Sequence, residues 1–291
     1  MRRAHPLAAA VLGGLCLLPL LWPQGAVQGA TGIAPLPAHQ PRRVVSINLC
    51  TDQLAMMMAG PGQLVSVSHL AGDPTYSTMP EAAAAYPANR GLAEEVYLLK
   101  PDLVLAGAYS DFATVEMLRR LGIRVEVFPP AASLDEVRAG IAAMGQALGQ
   151  GARAREMLDG FDQRRAALPD HPGPRPTAAT YAADGYVSGA RSLAGEIVTA
   201  AGFRHLAADL GMEQGGFLPL EALVMARPDL VILGEDIEGA ARAEEVLHHP
   251  ALQKVAGDRG RIEDRDWICG LPSVLDAVER LARLHDPAGT P

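Results

Sequence analysis

Short, continuous apolar runs alternate along the chain with longer segments in which apolar residues recur at helical spacing. Apolar runs bounded by turns are typical of strands buried on both faces of a parallel sheet. In the first half, the pattern predicts strands at 44–47, 64–67, 103–106 and 125–128 and helices at 51–59, 92–99 and 112–121. Thr51 or Asp52 could cap the first helix. This alternation predicts a doubly wound α/β lobe.

Two consecutive helices and a proline-rich segment follow this lobe. Ser133 and Glu136 match a capping box at the start of the helix predicted for 133–148. A second helix is predicted for 152–168, and four prolines lie between 169 and 176. Beyond them the pattern predicts strands at 177–181, 230–233 and 261–263 and helices at 193–201, 220–226, 240–247, 251–255 and 273–284.

One phrase occurs twice in the chain. Glu94 precedes the Pro-Asp-Leu-Val run at 101–104 by seven positions, and Glu221 precedes the same run at 228–231 by seven positions. A basic residue stands directly before each proline, and the two copies are 127 residues apart (228 − 101). A single copy would mark only the entry to a strand. Two copies with the same offset indicate two similar lobes.

The predicted fold is therefore two doubly wound α/β lobes joined by a single long interlobe helix, with a ligand cleft between the lobes. The predicted segments are a signal peptide at 1–30, a flexible lead-in at 31–41, an N-terminal lobe at 42–150, the interlobe helix at 151–168, a C-terminal lobe at 169–286 and a tail at 287–291.

The N-terminus has the pattern of an export signal. Arg2 and Arg3 precede an apolar stretch at 8–21, which is short for a membrane span, and small residues follow at Ala26 and Ala30. This predicts cleavage near residue 30 and a periplasmic protein. A retained membrane anchor is the alternative. The formal charge of −8 and the absence of a basic stripe argue against nucleic acid as a partner.

Removal of the signal leaves Cys50 and Cys269 as the cysteines of the predicted mature chain. An oxidising compartment permits a disulfide, but spacing alone does not show that these two residues meet. Three possibilities stay open: a disulfide between the lobes, a thiol that contacts a metal in the ligand, and two unpaired residues.

Ligands of open α/β sheets bind outside the carboxyl ends of the strands. This rule selects the loops at 48–52, 68–76, 107–111, 182–191 and 266–270. Aromatic side chains in such loops offer broad apolar faces with polar tips. The candidate ligand-binding residues are Asn48, Cys50, Thr51, Asp52, His69, Tyr76, Tyr109, Tyr181, Tyr186, Arg191, Trp267 and Cys269.

The sequence contains no convincing catalytic arrangement. It has neither a Gly-x-Ser-x-Gly elbow nor a phosphate-binding Gly-rich loop. His69 and Cys50 could form a nucleophile pair, but no third group that would orient them is evident. A bare-metal site needs several convergent His and carboxylate ligands, and His69 is the only histidine in a predicted cleft loop. We therefore expect a binding protein without a cofactor of its own, whose ligand carries any metal.

In this arrangement the chain resembles the periplasmic substrate-binding proteins of ABC importers for ferric siderophores, heme and cobalamin. The resemblance covers residues 43 to about 284. It depends on Arg-Val-Val-Ser at 43–46, the two Pro-Asp-Leu-Val runs, Ser-Leu-Asp-Glu at 133–136 and the helix at 152–168. It implies two lobes joined by one rigid helix, a shallow cleft and a small lobe movement.

The resemblance also implies a partner and a ligand class. In the family, an acidic residue on each lobe pairs with arginines of the inner-membrane permease, and Glu94 and Glu221 match these positions. Asp266-Trp267 followed by Pro272 resembles the cobalamin-binding branch, whereas the cysteine-bearing loops depart from it. Few arginines are available for a carboxylate-rich siderophore. The ligand class stays open among a corrinoid, a ferric siderophore and heme.

Three alternatives to an importer component are considered. A free-metal carrier for zinc or manganese would share this architecture, and an exported enzyme could use the same scaffold. A sensor that presents its ligand to a membrane receptor is not distinguishable from an importer by sequence. The expected partners are a small metal chelate and the permease, and the expected state is a monomer.

Overall fold

A computed structural model of the chain describes residues 40–234, 242–255 and 258–285. The predicted signal peptide, most of the lead-in and the tail lie outside the described residues. The predicted helix at 240–247 lies partly outside them, and a 3-10 helix covers Arg242–His248. Among the described helices, none combines the length and apolar character that a membrane span needs.

The first sheet has five parallel strands. They are β1 Val44–Ser46, β2 Leu64–Ser68, β3 Ala88–Asn89, β4 Leu103–Gly107 and β5 Arg124–Phe128. The accompanying helices are α1 Leu49–Met58, α2 Pro80–Ala83, α3 Ala93–Leu98 and α4 Phe112–Arg120. The strand order is β3-β2-β1-β4-β5, so the chain winds outward from β1 in both directions. This confirms the doubly wound prediction.

Two antiparallel helices, α5 Leu134–Leu148 and α6 Gly151–Ala166, come between the first and second sheets along the chain. The next strands are β6 Thr177–Tyr181, β7 Tyr186–Ser188, β8 Arg204–His205, β9 Gly215–Phe217, β10 Leu230–Leu233 and β11 Asp258–Arg261. The next helices are α7 Leu193–Ala200, α8 Leu206–Asp209, α9 Leu220–Ala226, α10 Pro250–Val255 and α11 Val274–His285. The second sheet is parallel with the order β11-β10-β6-β8, and β7 and β9 form a separate antiparallel ribbon.

The two sheets are connected in the same way around their first strands. In each, the first strand pairs on one side with the next strand of the same sheet, β2 or β8, and on the other side with the strand of the repeated phrase, β4 or β10. Asp102 accepts hydrogen bonds from the backbone N–H groups of Arg42 and Arg43, at 2.8 and 3.0 Å. Asp229 accepts one from the backbone N–H of Thr177, at 2.7 Å. The aspartate of each copy therefore ties two strand starts together.

The repeat also fixes the backbone before each proline. Lys100 and Arg227 both have positive φ angles, 49° and 47°. Each preceding helix therefore ends through a left-handed residue, a conformation that few non-glycine residues adopt. The prolines that follow are buried in both copies. These matching details confirm that the two copies are structurally equivalent.

Two of the predicted helix starts need correction. Asn48 caps α1, because its Oδ1 accepts from the N–H groups of Cys50 and Thr51 at 3.1 and 3.4 Å. The prediction that Thr51 or Asp52 is the cap is wrong, since both lie inside the helix. At α5, Ser133 caps the helix as predicted. Glu136, however, accepts from the N–H of Ala132, one residue before the expected partner.

Helix α6 and its neighbours join the lobes through shared packing. Phe161 of α6 is buried in a hydrophobic cluster that includes Ile141 of α5 and Leu275 of α11. Arg164 of α6 pairs with Asp276 of α11 at 2.6 Å, but such exposed pairs contribute little stability. The continuous apolar cluster between the two sheets favours a small relative movement of the lobes.

Candidate ligand-binding site

The strand order of each lobe reverses between β1 and β4 and between β6 and β10, and the fold rule places the candidate site at these two points. A Cβ on Gly107 would lie 2.6 Å from Asn48 Nδ2, and one on Gly234 would lie 3.0 Å from the Ala182 Cβ. Both glycines come six positions after the repeated proline (107 − 101 and 234 − 228). The repeat therefore extends to a glycine that lets two loops approach closely, a signal that the sequence analysis missed.

The N-terminal lobe exposes two aromatic side chains after β4. Tyr109 is 88% exposed and Phe112 is 77% exposed. The loop that carries them is held by local hydrogen bonds. Ser110 Oγ accepts from the Gly107 N–H at 3.0 Å, and Asp111 caps α4 by accepting from the Thr114 N–H at 2.7 Å. Tyr109 was predicted, whereas Phe112 was not.

The C-terminal lobe exposes a second aromatic pair after β6. Tyr186 on β7 and Phe217 on β9 meet edge to face, with ring centroids 5.8 Å apart. Their exposed fractions are 40% and 70%. The ribbon that carries them is fixed because the Leu218 N–H donates to the Gly185 carbonyl at 2.9 Å. Phe217 was absent from the predicted site.

The disulfide Cys50–Cys269 connects the first turn of α1 to the segment before α11, with the Cα atoms 5.1 Å apart. Of the three possibilities left open by the sequence, the structure thus has the bridge between the lobes. Gln53 stands beside it, with its Nε2 3.6 Å from Cys269 Sγ and its Oε1 accepting from the Thr78 N–H at 2.8 Å. Neither cysteine offers a free thiol to a metal.

Further contacts join the lobes near the disulfide. Arg265 Nη1 donates to the Pro74 carbonyl at 3.2 Å. Trp267 and Tyr76 are both half-buried and pack against the same hydrophobic cluster. Trp267 Nε1 lies 3.5 Å from Asp264 Oδ1. The loops at the carboxyl end of the first sheet therefore contact the C-terminal lobe.

Besides the disulfide-bonded Cys269, three predicted site residues are interior and have structural contacts. Asp52 is fully buried and accepts from the N–H and the hydroxyl of Ser68. Thr51 Oγ1 lies 2.8 Å from the hydroxyl of Ser46, and the Tyr181 hydroxyl donates to the Leu218 carbonyl at 3.1 Å. These side chains position the loops, and we leave them out of the proposed ligand surface.

The remaining predicted residues are exposed, two of them in the loops and two at helix starts. His69 is exposed at the start of the 3-10 helix His69–Gly72, close enough to Asp52 to oppose the rise in its pKa. Arg191 is exposed, and its N–H donates to the Glu213 carbonyl at 3.0 Å. Glu94 and Glu221 are both exposed at the starts of α3 and α9.

Two cavities differ in their relation to the candidate loops. One of about 1040 Å³ is lined by Arg42, Gln63 and Asp102, at the amino ends of the strands. Because ligands of this fold bind at the opposite edge, we do not assign it to the site. Another, of about 690 Å³, lies in the C-terminal lobe and is lined by Tyr181 and Asp184 at the carboxyl end of β6 as well as by Glu221 and His249. Within 40–234, 242–255 and 258–285, no group of three or more His, Cys, Asp or Glu residues could hold a metal ion.

Burial raises the pKa of Asp52 to about 6, although hydrogen bonds from Ser46 and Ser68 oppose the rise. Between its ordinary value of 3.8 and about 6, the folded chain keeps a proton that the unfolded chain has released. The free energy of unfolding should therefore fall as the pH rises through this range. Asp52→Asn removes this titration. As the pH rises from 4 to 7, the free energy of unfolding of the variant should therefore increase relative to that of the native chain, by roughly 3 kcal/mol at most. Urea unfolding of both proteins across this range measures the difference.

Asp159→Asn is the matched control for this experiment, because Asp159 is exposed on α6. Its stability should follow that of the native chain at every pH. If the free energies of unfolding of Asp52→Asn and the native chain differ by the same amount from pH 4 to pH 7, the raised pKa of Asp52 is contradicted.

Removal of the disulfide should destabilise the fold, because the bridge closes a loop between residues 219 positions apart. Cys50→Ala with Cys269→Ala is expected to lower the free energy of unfolding by about 2–5 kcal/mol. Urea unfolding with and without dithiothreitol is the measurement, in a Cys16→Ser background that prevents thiol exchange. The reductant should weaken the bridged protein and leave the double alanine variant unchanged. An effect of reductant on both, or on neither, would count against the prediction.

Comparison with known families gives the chain a match to the model described as "Periplasmic binding protein", over residues 44–259. The match spans both sheets. The chain belongs to the periplasmic binding protein family. The fold class predicted from the repeat is the fold of this family's solved members, and the family resemblance inferred from the sequence is confirmed.

Among curated relatives, this periplasmic binding protein is 32% identical over 201 residues to a cobalamin-binding protein of Halobacterium salinarum. The alignment covers 67% of this chain and 54% of the relative, so the chain spans about half the length of the curated relatives it matches.

Two solved structures have the same fold. A periplasmic heme-binding protein from Pseudomonas aeruginosa superposes with a TM-score of 0.70 at 23% identity, covering 86% of this chain and 95% of that one. The periplasmic vitamin B12-binding protein BtuF of Vibrio cholerae superposes with a TM-score of 0.62 at 19% identity, covering 86% and 98%.

Proposed function

We propose that this protein captures a metal chelate between its lobes and delivers it to the permease of an ABC importer. The observation that carries the proposal is the set of four exposed aromatic side chains at the strand ends of both lobes: Tyr109, Phe112, Tyr186 and Phe217. Clustered exposed apolar surface on a folded protein marks a binding site. Aromatic faces on two lobes suit a broad, partly apolar ligand held between them.

A corrinoid is the ligand class that we favour. The curated relatives, at 32% identity, are cobalamin-binding proteins. The predicted site loops also carry few cations. Arg191 is the arginine within them, and Arg90, the second arginine that the sequence offers for a carboxylate-rich ligand, lies outside them; both are exposed. A ferric siderophore rich in carboxylates would need a denser cationic lining. Heme and ferric siderophores are the alternatives within the same chelate class, and the metal belongs to the ligand.

The proposed partner is the inner-membrane permease, reached through Glu94 and Glu221. Both carboxylates are exposed, and each stands at the start of the helix that precedes its copy of the repeated phrase. Acidic groups presented once on each lobe suit a partner with two matching cationic sites. Exposed charges of this kind steer association and fix orientation more than they add affinity.

The proposed location is the periplasm, after removal of the N-terminal segment, and the proposed state is a monomer. A disulfide such as Cys50–Cys269 persists in an oxidising compartment, which supports export. A role as a binding protein without catalysis fits the family. Carriage of a bare zinc or manganese ion and presentation of the ligand to a sensor receptor are the competing functions.

Ligand titration tests the proposal. In the full chain with Trp22→Phe, Trp267 is the sole tryptophan and its fluorescence reports on the cleft loops. Cobalamin, heme and ferric hydroxamate, catecholate and citrate chelates are titrated separately, with correction for ligand absorbance. Saturable quenching by cobalamin at micromolar concentration or below is expected. Binding of zinc or manganese alone, measured by elemental analysis after metal exchange, would overturn chelate capture.

A further inference from the structure

Two large apolar side chains are exposed at matching positions of the repeat. Leu98 is 77% exposed and Met225 is 82% exposed. Each comes four residues after the glutamate of its copy (98 − 94 and 225 − 221). Residues four apart on a helix lie on one face, so each apolar side chain stands next to its glutamate.

The buried side of the two helices matches as well. Val96 of α3 and Leu223 of α9 occupy equivalent positions and are both fully buried. Each helix therefore lies on its lobe in the same rotation, with a glutamate and an apolar side chain directed outward. One exposed leucine is ordinary on a protein surface. The same pair of side chains presented on both lobes indicates a duplicated contact surface.

We propose that Leu98 and Met225 form the apolar part of the docking surface and insert into two equivalent apolar pockets on the permease. The inference depends on the proposed function, because it takes Glu94 and Glu221 as the charged part of the same surface. A duplicated surface fits a partner built from two equivalent subunits, each of which contacts one lobe. A second copy of this chain would bring the same carboxylates and be repelled.

The two parts of the surface act on different steps of association. Glu94 and Glu221 act over a distance and set the association rate and its dependence on salt. Leu98 and Met225 act only after contact, when their apolar area leaves water. They therefore slow dissociation, and their removal leaves the approach of the two proteins unchanged.

The test measures binding of the full chain to inner-membrane vesicles with their periplasmic face outward. The vesicles are prepared from cells of the source organism that lack this protein. Leu98→Ser and Met225→Ser should each raise the dissociation rate about tenfold, and the double variant about 100-fold. The association rate, its salt dependence and the affinity for cobalamin should not change. Met117→Ser and Leu210→Ser are the matched controls, because both side chains are exposed and lie outside the repeat. Neither control should alter vesicle binding.

The outcomes separate the inference from the proposed function. If the serine variants dissociate at the native rate while Glu94→Lys with Glu221→Lys prevents binding, the apolar contact is overturned and docking through the glutamates stands. If the native chain does not bind the vesicles, or binds protein-free liposomes of the same lipids equally well, docking to a permease fails and the inference fails with it. If the serine variants abolish self-association of the native chain in sedimentation, the surface is an interface between copies, which also overturns the inference.

Discussion

Replacing Tyr109 and Phe217 together by alanine is expected to weaken ligand binding by about 10³-fold. The two rings are exposed on different lobes, so each would cover a different part of a ligand held in the cleft. A large aromatic side chain at the centre of a binding surface contributes about 10- to 100-fold to affinity. The side chains are exposed in the free protein, so their loss should cost little folding stability.

Equilibrium dialysis against cobalamin, with heme in parallel, measures this effect. Tyr97→Ala is the matched control, since Tyr97 is also an exposed tyrosine but lies on α3. It should keep the native affinity, and Phe112→Ala should lose affinity on the same scale as Tyr109→Ala. Native affinity in the double variant Tyr109→Ala with Phe217→Ala would show that the ligand binds elsewhere.

Reversing both docking charges, Glu94→Lys with Glu221→Lys, should abolish uptake while leaving ligand affinity intact. In the proposed complex, each substitution replaces an attraction to a cationic group of the permease with a repulsion on one lobe, and both lobes are affected at once. Like charges brought together at an interface cost several kcal/mol, which exceeds the margin of a transient complex. Uptake of radiolabelled cobalamin by cells, with dialysis on the purified variant, measures the two properties separately.

Glu156→Lys with Asp159→Lys makes the same change in net charge on the exposed side of α6. This control should transport normally, which separates a local contact from a general effect of charge. Single reversals should be intermediate because one lobe still docks. Normal uptake by the Glu94→Lys with Glu221→Lys variant would remove these residues from the docking surface.

The fold was largely predictable, because apolar runs and the repeated phrase carry it directly. The strand Leu230–Leu233 has the predicted bounds, and Leu103–Gly107 differs from its prediction by one residue. The ribbon of β7 and β9 was not predicted, because its strands have three residues each and β9 contains two consecutive glycines. Strands this short lack a detectable period, and their pairing depends on contacts between distant segments.

The site was predictable only in part. The rule for strand ends found the loops of Tyr109 and Tyr186, but it does not report which way a side chain points. Asp52 lies in a predicted loop and Tyr181 beside one, and both can be buried because Ser68 and the Leu218 carbonyl satisfy their polar groups. Phenylalanine is usually a core residue, so the sequence gives no reason to place Phe112 or Phe217 on the surface. Their exposure is seen only in the three-dimensional structure.

The disulfide also limits how the lobes can move. A body attached to another at one place can swivel about it in any direction. The N- and C-terminal lobes are joined covalently at two places, by the main chain at α6 and by the Cys50–Cys269 bond. Two fixed points define a line, and rotation about that line is the one rigid motion that leaves both in place. Any opening of the cleft is thus reduced to a single angle, which one distance measured between spin labels on the two lobes would describe.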